Sequence, residues 1–229
     1  MWSERADILW PATWKKQAFH RGMCMKEEEV FFKAGTLIIE GLYGAAQGDK
    51  GVVISHPHPQ MGGSMINNVV ESTVSAFFKN GFSTLRFNFR GVGASEGSYD
   101  GGRGEQDDVR GAVACLREKG KRDIMLAGYS FGAWVSAKFL STEAGFLPAV
   151  FVSPPVGLLE FDFPALTGKM GLVICGDHDD FCSLGKIQTM VEHIGCPLNI
   201  IRGADHFFCG REDEIVRILG EFLSLAAPG

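Results

Sequence analysis

Residues 121–140, KRDIMLAGYSFGAWVSAKFL, decide the fold. The apolar run at 124–127 is typical of a buried strand, and apolar residues spaced by three and four positions after Ser130 indicate a helix. Between them lies a G-x-S-x-G pattern, GYSFG at 128–132. A sharp turn at the serine brings the strand and helix backbones close together. Glycine suits the two outer positions because a Cβ there would clash with its neighbours.

A strand, a sharp turn and a helix form the setting in which G-x-S-x-G presents a nucleophilic serine. The serine then lies at a helix N-terminus, where backbone N–H groups and the helix dipole favour a developing negative charge. A second match, GASEG at 93–97, is followed by SYDGG, which cannot start a helix, and no apolar strand directly abuts Gly93. We interpret that match as a glycine-rich loop and Ser130 as the candidate nucleophile.

Composition limits the class of protein. The chain has 229 residues, enough for one domain with a full core. Its net charge of −5 gives no basic surface for nucleic acid or an anionic membrane. No apolar run reaches the ~20 residues of a membrane-spanning helix. The N-terminus lacks the basic-then-apolar order of a signal peptide. We expect a cytoplasmic protein with reduced thiols and a small-molecule substrate. The composition is compatible with a homodimer.

The domain organisation follows from the change in pattern near Met25. Residues 1–24 hold three of the four tryptophans without a clear period, and we interpret them as an N-terminal extension before a domain at 25–229. A hairpin comes first, and strands then alternate with helices, one of them capped by Ser64. This order predicts an α/β fold with a mainly parallel central sheet, an antiparallel edge hairpin and helices on both faces. The active site is expected at the carboxyl ends of the strands.

A general base and an acid to orient it are expected after the nucleophile, in the chain order Ser, Asp or Glu, His. His206 lies in GADHFF at 203–208, a short loop between the last strand and the last helix. The loop after the preceding strand offers three aspartates. We favour Asp179, because G-x-x-D is the usual spacing at this point, and Asp177 and Asp180 remain open. The acid would hold the imidazole tautomer and stabilise the imidazolium.

An oxyanion hole requires two N–H donors. One is expected from Phe131, directly after the nucleophile. The other should come from the loop after an earlier strand, HPHPQM at 56–61. The two prolines of that loop have no N–H, which leaves His58, Gln60 or Met61, and we favour His58. The histidine spacing matches no standard zinc pattern, so no metal is expected.

At this point the chain resembles the α/β-hydrolase superfamily over residues 28–225. Within it, the chain is similar to small, capless bacterial serine hydrolases often described as dienelactone-hydrolase-like. The resemblance implies a Ser130–Asp179–His206 catalytic triad and no cofactor. True dienelactone hydrolases use a cysteine nucleophile, so a serine argues against that reaction. The stretches that carry the resemblance are HPHPQMGGSMINNVV, RFNFRGVGASEGSYDGGRGEQDD, AGYSFGAWVSA, GDHDD and GADHFF.

The interval 153–169 is too short for a helical cap, which predicts a shallow, open substrate pocket. We expect that pocket to be lined by Tyr129, Pro154, Phe181 and Phe207. Arg90 is expected to pair with an acid of GEQDD at 104–108 and to fix the glycine-rich loop. The function expected from these residues is a carboxylesterase-like serine hydrolase that cleaves a small ester or thioester through an acyl-enzyme. A peptidase of the same fold and a non-catalytic binding protein are the alternatives.

Overall fold

The computed structural model describes residues 25–225, which form one eight-stranded sheet with the strand order β1-β2-β4-β3-β5-β6-β7-β8. β1 pairs antiparallel with β2, and β2 pairs antiparallel with β4. All other neighbouring strands are parallel. The predicted mainly parallel sheet with an antiparallel edge hairpin is therefore confirmed. The strands are β1 (Glu27–Ala34), β2 (Leu37–Gly44), β3 (Lys50–Ser55), β4 (Ser83–Phe87), β5 (Asp123–Tyr129), β6 (Leu147–Val152), β7 (Met170–Gly176) and β8 (Leu198–Ile201).

Helices cover both faces of the sheet, as the alternation of strands and helices predicts. The first and last helices pack against each other on one face, and the helices between them cover the other face. A short 3₁₀ helix, Pro59–Met61, lies in the loop after β3. The helices are α1 (Asn68–Lys79), α2 (Gly104–Glu118), α3 (Phe131–Thr142), α4 (Phe163–Leu166), α5 (Leu184–Ile194) and α6 (Glu212–Leu225).

The central strands are apolar on both faces, because each face is covered by helices. In β5, Met125 and Ala127 pack in the cluster under α1 and α6, whereas Ile124 and Leu126 pack in the cluster under α2 and α3. Successive side chains of a strand point to opposite faces, so every second residue shares a face. The carboxyl ends of these parallel strands meet at one edge of the sheet, and the loops that follow them carry the candidate site.

Helix α1 begins later than predicted. Asn67, not Ser64, caps the helix, and its Oδ1 accepts hydrogen bonds from the N–H groups of Val69 (3.0 Å) and Val70 (3.4 Å). Met65, two residues before this cap, donates its N–H to Asn88 Oδ1 at 2.8 Å. A tertiary contact therefore holds the backbone out of the helix up to Asn67, and sequence propensity does not register such a contact.

The loop between β4 and α2 is fixed by buried acids of α2. Arg90 donates from Nη2 to Asp108 at 2.8 Å, as its predicted pairing with residues 104–108 requires. Glu105 is fully buried and accepts hydrogen bonds from the N–H groups of Asp100 (2.8 Å) and Gly102 (2.7 Å). These contacts fasten the glycine-rich loop to α2.

Three predictions concern the chain as a whole. The proposed extension at 1–24 lies outside the described residues. Within residues 25–225, no helix is both long enough and apolar enough to cross a lipid bilayer. The described cysteines are free thiols: Cys115, Cys175, Cys182, Cys196 and Cys209.

Candidate active site

Ser130 stands at the turn between β5 and α3 with a backbone φ of 54° and ψ of −120°, a conformation that L-residues rarely adopt. The flanking glycines permit this turn. A Cβ on Gly128 would lie 2.6 Å from the backbone of Ala133, and one on Gly132 would lie 2.4 Å from the carbonyl oxygen of Ser55. The structure therefore confirms the prediction that a Cβ at either glycine would clash with neighbouring backbone. The turn places the serine at the N-terminus of α3.

His206 reaches Ser130 from the loop between β8 and α6. Its Nε2 lies 2.9 Å from Ser130 Oγ, and its Nδ1 lies 2.9 Å from both carboxylate oxygens of Asp179. Since an ionised carboxylate only accepts hydrogen bonds, Nδ1 carries the proton and Nε2 is left to accept the hydrogen of the serine hydroxyl. Three residues that are far apart in sequence thus form one continuous hydrogen-bonded chain.

The Asp179 carboxylate is held by several donors. Oδ1 accepts the N–H groups of Phe181 (2.9 Å) and Cys182 (3.1 Å), and Oδ2 accepts the hydroxyl of Ser153 (2.6 Å). Burial alone would raise the pKa of Asp179. The hydrogen bonds from His206, Ser153 and Phe181 and the electrostatic interaction with His206 together outweigh burial, so the pKa of Asp179 is lowered from its ordinary value of 3.8. Asp179 is therefore ionised at neutral pH.

The competing aspartates have other contacts. Asp177 is exposed and accepts the N–H of Gly203 at 2.6 Å, which ties the loop after β7 to the loop after β8. Asp180 is exposed. Asp205 accepts the N–H groups of Phe207 and Phe208 and shapes the turn that presents His206. Of the three aspartates that the sequence left open, Asp179 is the one bonded to the imidazole.

The residues expected to form the oxyanion hole lie side by side. The imidazole of His58 packs on the ring of Phe131 with a centroid distance of 4.8 Å. The alternative donors have acceptors within their own loop, since the Gln60 N–H donates to His58 Nδ1 (3.2 Å) and the Met61 N–H donates to the His58 carbonyl oxygen (3.1 Å). Phe131 is the first residue of α3, and the first N–H groups of a helix have no acceptor within the helix.

Comparison with known proteins follows this geometry. No family model matches the chain. An uncharacterized protein of Rickettsia prowazekii is 31% identical over 209 residues, which is 85% of this chain and 88% of that protein. An α/β serine hydrolase homologue of Coxiella burnetii is 32% identical, with a TM-score of 0.78 over 87% of this chain and 99% of that one. The chain belongs to the α/β-hydrolase superfamily.

Two further structures refine the position of this α/β hydrolase within the superfamily. A putative α/β hydrolase of unknown function from Agrobacterium tumefaciens is 31% identical, with a TM-score of 0.81 over 87% of this chain and 96% of that one. An α/β serine hydrolase without a lid from Xanthomonas campestris is 26% identical, with a TM-score of 0.79 over 92% of this chain and 99% of that one. The predicted resemblance to capless hydrolases is thus confirmed, and hydrolase is the functional class that these neighbours support.

An aromatic wall surrounds the imidazole of this hydrolase. The rings of Phe181 and Phe207 lie 4.7 Å and 5.8 Å from the His206 ring, centroid to centroid. Pro154 is buried beside them, and its carbonyl oxygen accepts the Cys182 thiol at 3.1 Å. These three residues were expected to line the pocket, and they lie next to the triad. A groove of about 670 Å³ lies farther along the same loops, between residues 156–163 and α5.

Tyr129 was also expected in the pocket, and the structure places it in the core instead. It is only 2% exposed and packs in the cluster under α1 and α6. Burial raises the pKa of Tyr129 well above its ordinary value, so its neutral hydroxyl donates to the His206 carbonyl oxygen, at 2.6 Å. The pocket assignment is therefore corrected, and Tyr129 supports the backbone that carries the imidazole.

Ser153 belongs to the candidate site and was missed by the sequence reasoning. It directly follows β6, is fully buried, has a φ of 44°, and donates its hydroxyl to Asp179. A signal was present: a lone hydroxyl residue that ends a buried strand lies at the same edge as the other site residues. Its strained backbone fits a place beside the reacting groups.

The remaining motifs of the hydrolase are structural. His56 is fully buried: its Nε2 accepts the Phe89 N–H at 3.0 Å and its Nδ1 lies 2.6 Å from the Pro57 carbonyl oxygen. Burial lowers the pKa of His56 to about 3, so it remains neutral and joins the loops after β3 and β4. Ser95 of the second G-x-S-x-G donates to the Asn88 carbonyl oxygen at 2.7 Å, as expected of a loop residue.

One trio of metal-ligating side chains occurs within residues 25–225: Asp179, Cys182 and His206, with ligand atoms within 4.8 Å of one another. Asp179 and His206 already share a hydrogen bond. Burial raises the pKa of the Cys182 thiol well above its ordinary value, so the thiol keeps its proton and is a poor ligand. We assign this trio to the triad and its surroundings.

Proposed function

We propose that this α/β hydrolase is a serine esterase that cleaves small carboxylic esters or thioesters through an acyl-enzyme on Ser130. The observation that carries the proposal is the continuous chain from Ser130 Oγ through His206 to Asp179, with each step at 2.9 Å. A hydroxyl paired with an imidazole, which is itself oriented by a carboxylate, is the arrangement that activates a serine nucleophile.

The reaction proceeds in two halves. Ser130 Oγ attacks the carbonyl carbon as its proton moves to His206 Nε2, and the substrate oxygen becomes negatively charged. The backbone N–H groups of Phe131 and His58 are the proposed donors to that oxygen, at the positive end of the α3 dipole. The tetrahedral intermediate then expels the alkoxide or thiolate, which takes the proton from His206. Water, deprotonated by the same imidazole, releases the acid from Ser130.

A fluorophosphonate probe tests the nucleophile. The probe should label the pure protein at one peptide, the one that contains Ser130, and p-nitrophenyl butyrate should be hydrolysed. Ser130→Ala should abolish both signals. The matched control is Ser95→Ala, which alters the serine of the second motif and should leave labelling intact. Labelling that survives Ser130→Ala would contradict the proposal.

The class of bond is tested on the same protein. Ester and thioester substrates should be cleaved faster than aminoacyl arylamides, because none of the described residues forms a second domain that could select a peptide. Faster cleavage of the arylamides would identify a peptidase instead. Absence of both labelling and turnover would identify a binding protein of hydrolase fold.

A further inference from the structure

The glycine-rich loop after β4 brings one side chain to the proposed oxyanion hole. The Tyr99 hydroxyl lies 3.2 Å from His58 Nε2. The Tyr99 ring packs on the same two residues that the proposed function uses as donors, with centroid distances of 5.0 Å to His58 and 5.8 Å to Phe131. The reaction outlined above gives Tyr99 no part.

Three contacts fix the position of this loop. The fully buried Glu105 accepts two backbone N–H groups of the loop, and Asp108 holds Arg90 at its start. Gly102 lies so close to the Trp134 ring that a Cβ would meet it at 2.1 Å. Since Trp134 is in the first turn of α3, the loop is held directly against the helix that begins at the nucleophile.

The hydrogen bonds of His58 define the direction of its contact with Tyr99. The Gln60 N–H donates to His58 Nδ1, so Nδ1 carries no proton. Burial lowers the pKa of His58 to about 4, so the ring is neutral at neutral pH and its one proton is on Nε2. Nε2–H therefore donates to the Tyr99 oxygen. The imidazole is held at both nitrogens, by its own loop and by the loop after β4.

We propose that Tyr99 is a positioning residue: its hydroxyl accepts the His58 Nε2–H and holds the His58 backbone N–H beside that of Phe131. This inference rests on the proposed function, because the role concerns the oxyanion. Without the hydroxyl, the ring of residue 99 still packs, but His58 loses the hydrogen bond at Nε2. The N–H then samples positions farther from the developing charge, where a displacement weakens transition-state stabilisation more than substrate binding.

The test is Tyr99→Phe in the full chain, because it removes the hydroxyl and keeps the ring. We expect kcat to fall about 5-fold to 20-fold while KM changes less than about 2-fold, the pattern of an interaction made in the transition state. Affinity for a trifluoromethyl ketone, which mimics the tetrahedral intermediate, should fall by a similar factor. The matched control is Tyr43→Phe, whose hydroxyl bonds Ser83 Oγ at 3.4 Å within the core and should leave kcat unchanged.

A second readout does not depend on turnover. Long-range ¹H–¹⁵N spectra of the wild type should show His58 protonated at Nε2, and Tyr99→Phe should shift the amide resonances of His58 and Phe131. Unchanged kcat in Tyr99→Phe, or a wild-type His58 protonated at Nδ1, would overturn the inference. If the wild type cleaves no ester, the proposed function fails by itself. Unshifted amide resonances of His58 and Phe131 would then overturn the positioning role, and shifted ones would support it.

Discussion

The Asp179 carboxylate connects several parts of the site, because it accepts hydrogen bonds from the imidazole, a hydroxyl and two backbone N–H groups. Asp179→Asn keeps the shape of the side chain but allows it to donate. The amide would favour the wrong tautomer of His206, with the proton on Nε2 facing the serine. We expect kcat for p-nitrophenyl butyrate to fall about 10³-fold to 10⁴-fold.

Asp180→Asn is the matched control, since it makes the same change at the next residue, which is exposed. Its kcat should stay within about 2-fold of the wild type, as expected for surface substitutions. Equal losses in the two variants would show that the loop as a whole, and not the Asp179 carboxylate, supports activity.

Ser153 gives a pH-dependent prediction. Ser153→Ala removes a hydrogen bond to a buried carboxylate and should lower the free energy of unfolding by about 2 kcal/mol at neutral pH. The pKa of Asp179 is below its ordinary value of 3.8 in the folded protein, so its stabilisation is complete above that value. That stabilisation is lost as the pH falls through the lowered pKa.

The variant should raise the Asp179 pKa towards 3.8. Urea unfolding should therefore show a constant difference between wild type and Ser153→Ala above about pH 5, and a narrowing difference at lower pH. A difference that widens as the pH falls would contradict the assigned role. Thr142→Ala, which removes a hydroxyl bonded to the Phe139 carbonyl at the end of α3, is a pH-independent comparison.

At the scale of single residues, the sequence identified which candidate residues follow each strand, but it did not determine the direction in which their side chains point. The choice among three aspartates depended on the turn after β7, because two N–H groups in that turn orient Asp179 inward. The position of Tyr129 was, in contrast, predictable. It is two residues beyond Ala127, so the period of a strand places both on the α1 and α6 face.

At the scale of elements, the turn at Ser130 depends on the close approach of β3 to α3. Gly132→Ala would place a Cβ 2.4 Å from the Ser55 carbonyl oxygen and 2.6 Å from that of His56. Both atoms are backbone, so neither can rotate away. We expect a loss of about 3 kcal/mol in the free energy of unfolding, measured with urea, together with a loss of esterase activity.

The matched control is Gly220→Ala within α6, where the nearest atom to the added Cβ is a side-chain nitrogen at 3.9 Å, an ordinary contact. Alanine is the better helix former, so this variant should be as stable as the wild type or more stable by up to about 1 kcal/mol. A Gly132→Ala variant as stable as Gly220→Ala would show that the turn relaxes without cost.

Elements were predicted well where a local pattern determines them and less well where a distant contact does. The strand and the helix on either side of Ser130 are present as predicted, since the apolar run and the helical spacing that indicate them are local features. The start of α1 was predicted too early. Ser64 and Asn67 are both good capping residues, and the hydrogen bond from the Met65 N–H to Asn88, in the loop directly after β4, decides between them.

At the scale of the whole molecule, the sheet brings the proposed triad, and Ser153 that bonds Asp179, to one edge. Ser130 follows β5, Ser153 follows β6, Asp179 follows β7 and His206 follows β8, and these four strands are neighbours in the sheet. The order of parallel strands is therefore the reason that residues 76 positions apart share a 2.9 Å hydrogen bond. The alternation of strands and helices was enough to predict this edge, whereas the side-chain geometry required the structure.

The same architecture predicts a preference for short acyl groups. Residues 153–169, all of them described, contain one helix, the four-residue α4, so this interval places no helical cap over the triad. A closed tunnel would contribute about 0.8 kcal/mol for each buried methylene of an acyl chain, and an open site contributes little of this. The kcat/KM values of p-nitrophenyl acetate and butyrate should therefore equal or exceed that of the decanoate. The hydrolysis rate should also show no interfacial activation when the substrate concentration passes the critical micelle concentration.

The groove between residues 156–163 and α5 provides the control. Thr189→Trp adds a large side chain to the α5 wall of this groove, away from the Asp179–His206 pair, and should leave turnover of the short esters unchanged. If kcat/KM instead rises steadily with chain length, and Thr189→Trp removes that rise, the groove binds the acyl chain and the site is not limited to short substrates. If the site is open, kcat/KM should not rise with chain length and Thr189→Trp should not change it. An acyl chain that stays in water gains no binding free energy from added methylenes and loses none when the groove is narrowed.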